Sequence, residues 1–273
     1  MNSAQVPVPG SFRRVGTLPL PARRAIVRAR RWSHFGRRAH PRIDLDVGDR
    51  IAVIALDDGK VNAIGPPMAK LFSDALDHVQ ADADVRALVI SGRPGQFSAG
   101  FDLDELMIGG RQRDELVRDT WQLFGRLFTL PMPVVVACTG NAVAAGAALL
   151  LTADRRVGAD GDFQIGFNEA AIGIALSGVL LMLVRDRLRE EFVDQATTGA
   201  RMYGPPDALA AGFFHRVVVP AEVLDTAIAE ASALVAEPAE AFRGDKQERV
   251  GPIAERMSDQ LEKDMSLIHQ IGS

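Results

Sequence analysis

Two stretches of small residues constrain this chain more than any reactive side chain does. Each sits directly after an apolar strand-like run and directly before a helix-like segment. The first is Gln96-Phe97-Ser98-Ala99-Gly100-Phe101-Asp102-Leu103, after Ala87-Leu88-Val89-Ile90. The second is Gly140-Asn141-Ala142-Val143-Ala144-Ala145-Gly146-Ala147-Ala148, after Val134-Val135-Val136-Ala137-Cys138. Glycine and small side chains let the backbone turn tightly and leave main-chain N–H groups unpaired at a helix start. Such groups suit an oxygen that becomes negative, and two of them converging on one carbonyl form an oxyanion hole.

The remaining pattern supports the same alternation. Ile51-Ala52-Val53-Ile54-Ala55-Leu56 reads as a buried strand, followed by a turn at Asp57-Asp58-Gly59-Lys60. Pro66-Pro67 opens a helix with Met68, Leu71, Phe72, Ala75, Leu76 and Val79 on one face. Residues 112–130 predict a helix ended by Pro131 and Pro133, and Ala145 to Ala153 a buried helix. Short strands are expected near 155–157, 163–165 and 216–219. Helices are expected over 179–197, 205–212, 221–236 and 252–270. No internal sequence repeat is visible. Strands alternating with helices imply an α/β fold with crossover connections.

Charge divides the chain. Residues 1–43 hold ten Arg and no acid, so this leader carries +10; the 21 basic and 35 acidic residues of 44–273 give the body −14. The leader reads as a flexible arm, with organelle import or a phosphate-bearing partner as alternatives. Its five prolines disfavour one long helix, although Pro21 to Trp32 is compatible with a short basic one. The expected organisation is the leader 1–43, a catalytic core over 44–235 and a helical region over 236–273. No apolar run reaches the length of a membrane span. The single cysteine, Cys138, reads as a small buried hydrophobe. The five His have no metal-ligand spacing, and no dinucleotide, phosphate-loop or serine-elbow motif occurs. No metal or cofactor is therefore expected.

Glu169, in Ile165-Gly166-Phe167-Asn168-Glu169-Ala170-Ala171-Ile172-Gly173, is the sole ionisable residue between Asp162 and Arg185. A carboxylate among apolar neighbours has its charged form disfavoured, which suits proton transfer beside a carbonyl. A surface acid or a helix cap is the plainer alternative.

Taken together, these segments resemble the crotonase superfamily, the enoyl-CoA hydratase/isomerase family. Phe97 to Leu103 is similar to its first oxyanion loop and Gly140 to Ala148 to its second. Asn168-Glu169 with Ile172-Gly173 resembles the segment of its catalytic glutamate. Thr198-Gly199, Ala208 to Gly212 and Val217-Val218 resemble its downstream signature. The likeness runs in order over residues 49–235. It implies a crotonase-like spiral of ββα repeats with a C-terminal helical trimerisation region, and a homotrimer or homohexamer. It also implies an acyl-CoA substrate, coenzyme A being part of the thioester rather than a cofactor. By position, Glu169 is the implied acid/base, and the N–H groups of Ala99 and Ala145 the implied oxyanion donors. Lys60-Val61-Asn62-Ala63 resembles the turn that meets the adenine and pantetheine of coenzyme A, with Lys60, Val61 and Ala63 as the implied contacts. Ala99, Gly100, Phe101, Asp102 and Gly146 complete the implied binding set.

One departure bears on the reaction. Hydratases of this family place a second glutamate where this chain has Ala148. One carboxylate suffices to move a proton along an enoyl-CoA but is less suited to holding water. Asp102, Asp104 and Glu105 are the nearby acids that could substitute. Double-bond isomerisation is therefore expected over hydration. Thioester hydrolysis, decarboxylation and nucleic-acid binding through the leader are the alternatives, the last disfavoured. A cytoplasmic enzyme is expected, with organelle import left open.

Overall fold

A computed structural model describes residues 23–25 and 41–271. Readings placed on the rest of the leader lie outside the described residues. The chain winds as repeated strand–strand–helix turns, in which the first strand joins a large sheet and the second a smaller one. The opening turn contains β1 (Arg23–Ala25), β2 (Arg42–Gly48), β3 (Ile51–Asp57), β4 (Ala63–Ile64) and α1 (Pro66–Ala81). The next contains β5 (Ala87–Ser91), β6 (Gly95–Ser98), β7 (Gly100–Phe101), α2 (Leu103–Ile108) and α3 (Gly110–Phe128). The third is β8 (Val134–Cys138), β9 (Gly140–Val143) and α4 (Ala145–Leu151). The fourth is β10 (Arg155–Ala159), β11 (Ile165–Gly166), α5 (Gly178–Arg187) and α6 (Glu190–Ala196). The chain closes with β12 (Met202–Tyr203), α7 (Pro205–Ala211), β13 (Arg216–Val218), α8 (Val223–Val235) and α9 (Ala239–Ile271).

The large sheet has the order β1-β2-β3-β5-β8-β10-β13 and is parallel from β3 onward. The small sheet has the order β12-β11-β9-β6, and β4 pairs with β7. This is the α/β spiral that the resemblance implies. Its apolar runs are continuous because both faces of the large sheet are covered. Leu88, Ile90, Val134, Val136 and Cys138 face the main core under α1, α3 and α4, whereas Ala87, Val89, Val135 and Ala137 face Val223, Ala227 and Ala231 of α8. Cys138 is buried, and burial pushes its thiol up to about 12, so it behaves as the expected hydrophobe.

Several expectations are corrected. Arg23–Ala25, inside the stretch read as a short basic helix, pair antiparallel with β2. The two small-residue stretches are not loops alone. They contain the short strands β6, β7 and β9. The helix expected over 179–197 is two helices, because Leu188 is extended (ψ 158°) and buried and the Arg189 N–H donates to the Ala211 carbonyl at 3.0 Å. The last helix starts at Ala239 rather than near Pro252, which lies inside it. Pro252 removes a donor there, but it and Glu248, whose carbonyl loses its partner, are on the exposed face. Val250, Met257, Leu261 and Met265 bring α9 into the main core.

Candidate active site

The small sheet assembles the motif segments. β6 and β9 run parallel with Ser98 opposite Ala142, and β9 and β11 run parallel with Gly166 opposite Val143. Three segments that are far apart in sequence thus become neighbouring strands. Glycine makes the close approach possible. A Cβ on Gly146 would collide with the Ser98 carbonyl oxygen and lie 2.9 Å from the Ser98 Cβ. A Cβ on Gly100 (φ 88°) would lie 2.9 Å from the Ala145 nitrogen. Gly100 and Gly146 therefore serve by bringing two backbones together.

At the start of α4, Ala144 has φ 54° and ψ −126°, a strained conformation for a residue with a Cβ. It is held by its N–H, which donates to the Gly166 carbonyl at 2.9 Å. The Ala144 carbonyl accepts the N–H groups of Ala147 (2.9 Å) and Ala148 (3.0 Å). The first-turn amides of Ala145 and Gly146 then have no acceptor within the helix.

The expected first donor is different. The Ala99 N–H donates to the Val61 carbonyl at 2.9 Å, and the Gly100 N–H to the Ser98 hydroxyl at 3.2 Å. Ala99 is thus committed to holding its own loop, which corrects the sequence expectation. The Asp102 N–H donates to the Ile64 carbonyl at 3.0 Å. Successive amides of a strand face opposite sides, so the Phe101 N–H faces away from β4. It adjoins Gly100, where a side chain would run into the Ala145 nitrogen.

Glu169 is half-buried at the start of a short 3-10 turn, just after β11. Its Oε2 is buried without a hydrogen-bond partner. Burial raises its pKa above the ordinary 4.5, and the N–H groups of Glu169 and Asn168 pull it back only in part. The second-glutamate position is filled by Ala148, fully buried in the apolar core. The nearby acids have other work. The Asp102 carboxylate caps α2 by accepting the Asp104 N–H at 3.0 Å, and Glu105 accepts from Gln112 Nε2 at 2.6 Å. Asp104 is exposed.

Sequence reasoning placed Asn62 in the Lys60–Ala63 turn but missed that it fastens the turn to this site. Asn62 is buried at φ 53°, and its Nδ2 donates to the carbonyls of Leu56 (2.9 Å) and Phe97 (3.0 Å). Its Oδ1 accepts the Asp58 N–H at 2.9 Å, and its carbonyl accepts the Ser98 hydroxyl at 2.7 Å. An Asn between Val61 and Ala63 in a turn was a usable signal, since Asn tolerates left-handed backbone. Lys60 and Val61 stay exposed beside it. Asn62→Ala leaves buried carbonyls unpaired and puts Ala at positive φ. Denaturant unfolding should show a loss of about 2–4 kcal/mol.

On the downstream side, the loop after Glu169 leads into α5, and α9 secures that junction. Asp264, buried, accepts the Val179 N–H at 3.0 Å and the Gln260 Nε2 at 2.8 Å. Gly178 leaves room for Gln260, which any side chain at 178 would strike. Among the described residues, no cluster of His, Cys, Asp and Glu suits a metal ion, and no helix is long and apolar enough to cross a membrane.

The fold agrees with that of the chain's known relatives. A family model described as "Enoyl-CoA hydratase/isomerase" matches residues 46–273. A putative enoyl-CoA hydratase of Thermus thermophilus is 36% identical over 194 residues, covering 69% of this chain and 74% of that protein. The human mitochondrial enoyl-CoA delta isomerase 1 is 27% identical over 228 residues, covering 82% and 75%. Among solved structures, an enoyl-CoA hydratase/isomerase family protein from Pseudomonas syringae superposes with a TM-score of 0.79 at 35% identity, covering 82% of this chain and 96% of that one. The human mitochondrial delta3-delta2-enoyl-CoA isomerase gives 0.79 at 25% identity, covering 86% and 92%. The chain is therefore a member of the enoyl-CoA hydratase/isomerase family, within the crotonase superfamily.

Proposed function

We propose that this enzyme moves a carbon–carbon double bond along an acyl-CoA, with Glu169 as its single acid/base. The carrying observation is a buried carboxylate oxygen without a partner, Glu169 Oε2, in a site whose second-carboxylate position is the core residue Ala148. The Glu169 carboxylate takes a proton from C2 of a 3-enoyl thioester. Electrons shift onto the thioester oxygen, giving a dienolate held by the Phe101 and Ala145 N–H groups. The same carboxyl group then returns the proton to C4, and the double bond lies between C2 and C3. The raised Glu169 pKa narrows the gap between base and carbon acid, which helps transfer in both directions.

Lys60, Val61 and Ala63 form the coenzyme A side of this reading, and Asp102 acts through its cap on α2 rather than on substrate. No separate cofactor enters the scheme. A trimer or hexamer and cytoplasmic residence belong to the same proposal. Side-by-side assays with 3-enoyl-CoA and 2-enoyl-CoA test the reaction. Double-bond migration well above water addition is the expected result. Hydration equal to or faster than migration would replace this reading with that of a hydratase.

A further inference from the structure

Away from the candidate active site, where the C-terminal end of α5 meets α9, the fold buries more positive charge than it neutralises. Lys246 of α9, its side chain 3% exposed, pairs with Asp154 (Nζ to Oδ2, 2.6 Å) and donates to the Met132 carbonyl at 3.1 Å. Arg249 reaches Asp154 at 3.5 Å and Asp186 at 3.7 Å. Arg156 spends its guanidinium on the carbonyls of Ala153, Gly212 and Phe213. Its other neighbour, His215, has its pKa pushed down to about 3 by burial and the adjacent arginines, so it adds no charge at neutral pH.

Arg187 has no such accounting. Its side chain is 7% exposed and stacks on Phe128 with its Cζ 4.8 Å from the ring centroid. Nε lies 3.1 Å from Asp186 Oδ2, but the alignment makes no hydrogen bond, and Nε and Nη2 are both buried without an acceptor. Four cations thus share two carboxylates, and one of them, Arg187, presents an unpaired N–H edge. A buried guanidinium left without acceptors loses its hydration with nothing in return. Arg249, 46% exposed, is the solvent-facing member of the group.

We propose that the α5–α9 junction is a binding site for a small inorganic anion, seated on Arg187 and screened by Arg249 and Lys246. The anion offsets part of the excess positive charge and ties α9 to the core, independently of the reaction. Its chemistry is that of a halide or a compact oxyanion, which a planar guanidinium edge accepts.

The test follows thermal unfolding of the full-length protein through titrations of sodium chloride and of sodium phosphate, each held at constant ionic strength with sodium gluconate. Wild type should gain Tm saturably, by about 5 °C at an anion level roughly 100-fold above its dissociation constant. Saturation with either anion supports the site, and the better of the two defines its size. Arg187→Met should abolish the anion-dependent gain whatever its own Tm. Should that variant fail to fold, Arg249→Gln should weaken the anion response several-fold. A wild type that responds no more to chloride or phosphate than to gluconate, or an Arg187→Met variant with an undiminished gain, overturns the proposal. Water or an acid of a second copy would then be the partner of Arg187.

Discussion

Glu169→Gln should leave CoA-ester binding intact while kcat falls by about 10²–10⁴-fold, the scale of losing a positioned general acid/base. The amide is the same size and keeps a carbonyl acceptor, but it neither takes nor returns a proton at carbon. Steady-state assay and equilibrium binding measured together check both halves. Unchanged turnover would remove Glu169 from the mechanism. The same variant should move stability in the opposite direction. Burial raises the Glu169 pKa in the folded state, so its stabilising contribution is complete below the ordinary 4.5 and is lost as pH rises through the folded value. At neutral pH the wild-type fold holds a poorly solvated charge, and Glu169→Gln should therefore melt higher. Below about pH 4 the difference should vanish. A merely exposed acid would show neither the gain nor its pH dependence. The wild-type rate should also rise with pH through that raised pKa, as the base form fills.

Phe101→Pro should lower kcat by about 10²–10³-fold, the usual effect of deleting one oxyanion donor. Phe101→Ala keeps the N–H and supplies the control for the lost ring. Far-UV dichroism and unfolding midpoints separate a catalytic loss from the strain that Pro imposes on Gly100. Ala99→Pro has a different expected signature. It breaks the bond to the Val61 carbonyl and should act mainly through stability. If Phe101→Pro and Phe101→Ala turn over alike, the Phe101 amide is not a donor.

The long elements were legible because their apolar residues repeat with the period of the structure. β3, β5 and β8 are unbroken apolar runs, and the helices α1 and α3 carry clear faces. Of the second strands, only β11 was anticipated, by a strand expected near 163–165 that overlaps it at Ile165. β6, β9 and β11 have two to four residues each and every one contains a Gly, too short a run for a period of two to show. They are strands only because their neighbours are. The structural repeat stays invisible for the same reason, since each turn fulfils it with different residues. Within the candidate site, the Glu169 segment and the start of α4 could be read from sequence and resemblance. The Ala99 assignment failed because amide direction depends on strand pairing with β4, a contact between distant residues. The anchoring role of Asn62 was not legible because its acceptors, Leu56 and Phe97, lie at very different separations along the chain.

The clasp of Asp264 on the Val179 amide sets an order on biosynthesis. Ribosomes deliver the chain from its N-terminus, so the sheets and the Glu169 segment emerge well before the residue that fastens the start of α5. Until α9 emerges, the Val179 amide at the start of α5 lacks this acceptor. The same helix supplies Val250, Met257, Leu261 and Met265 to the main core, so the last elements translated complete both the packing and the α5 junction.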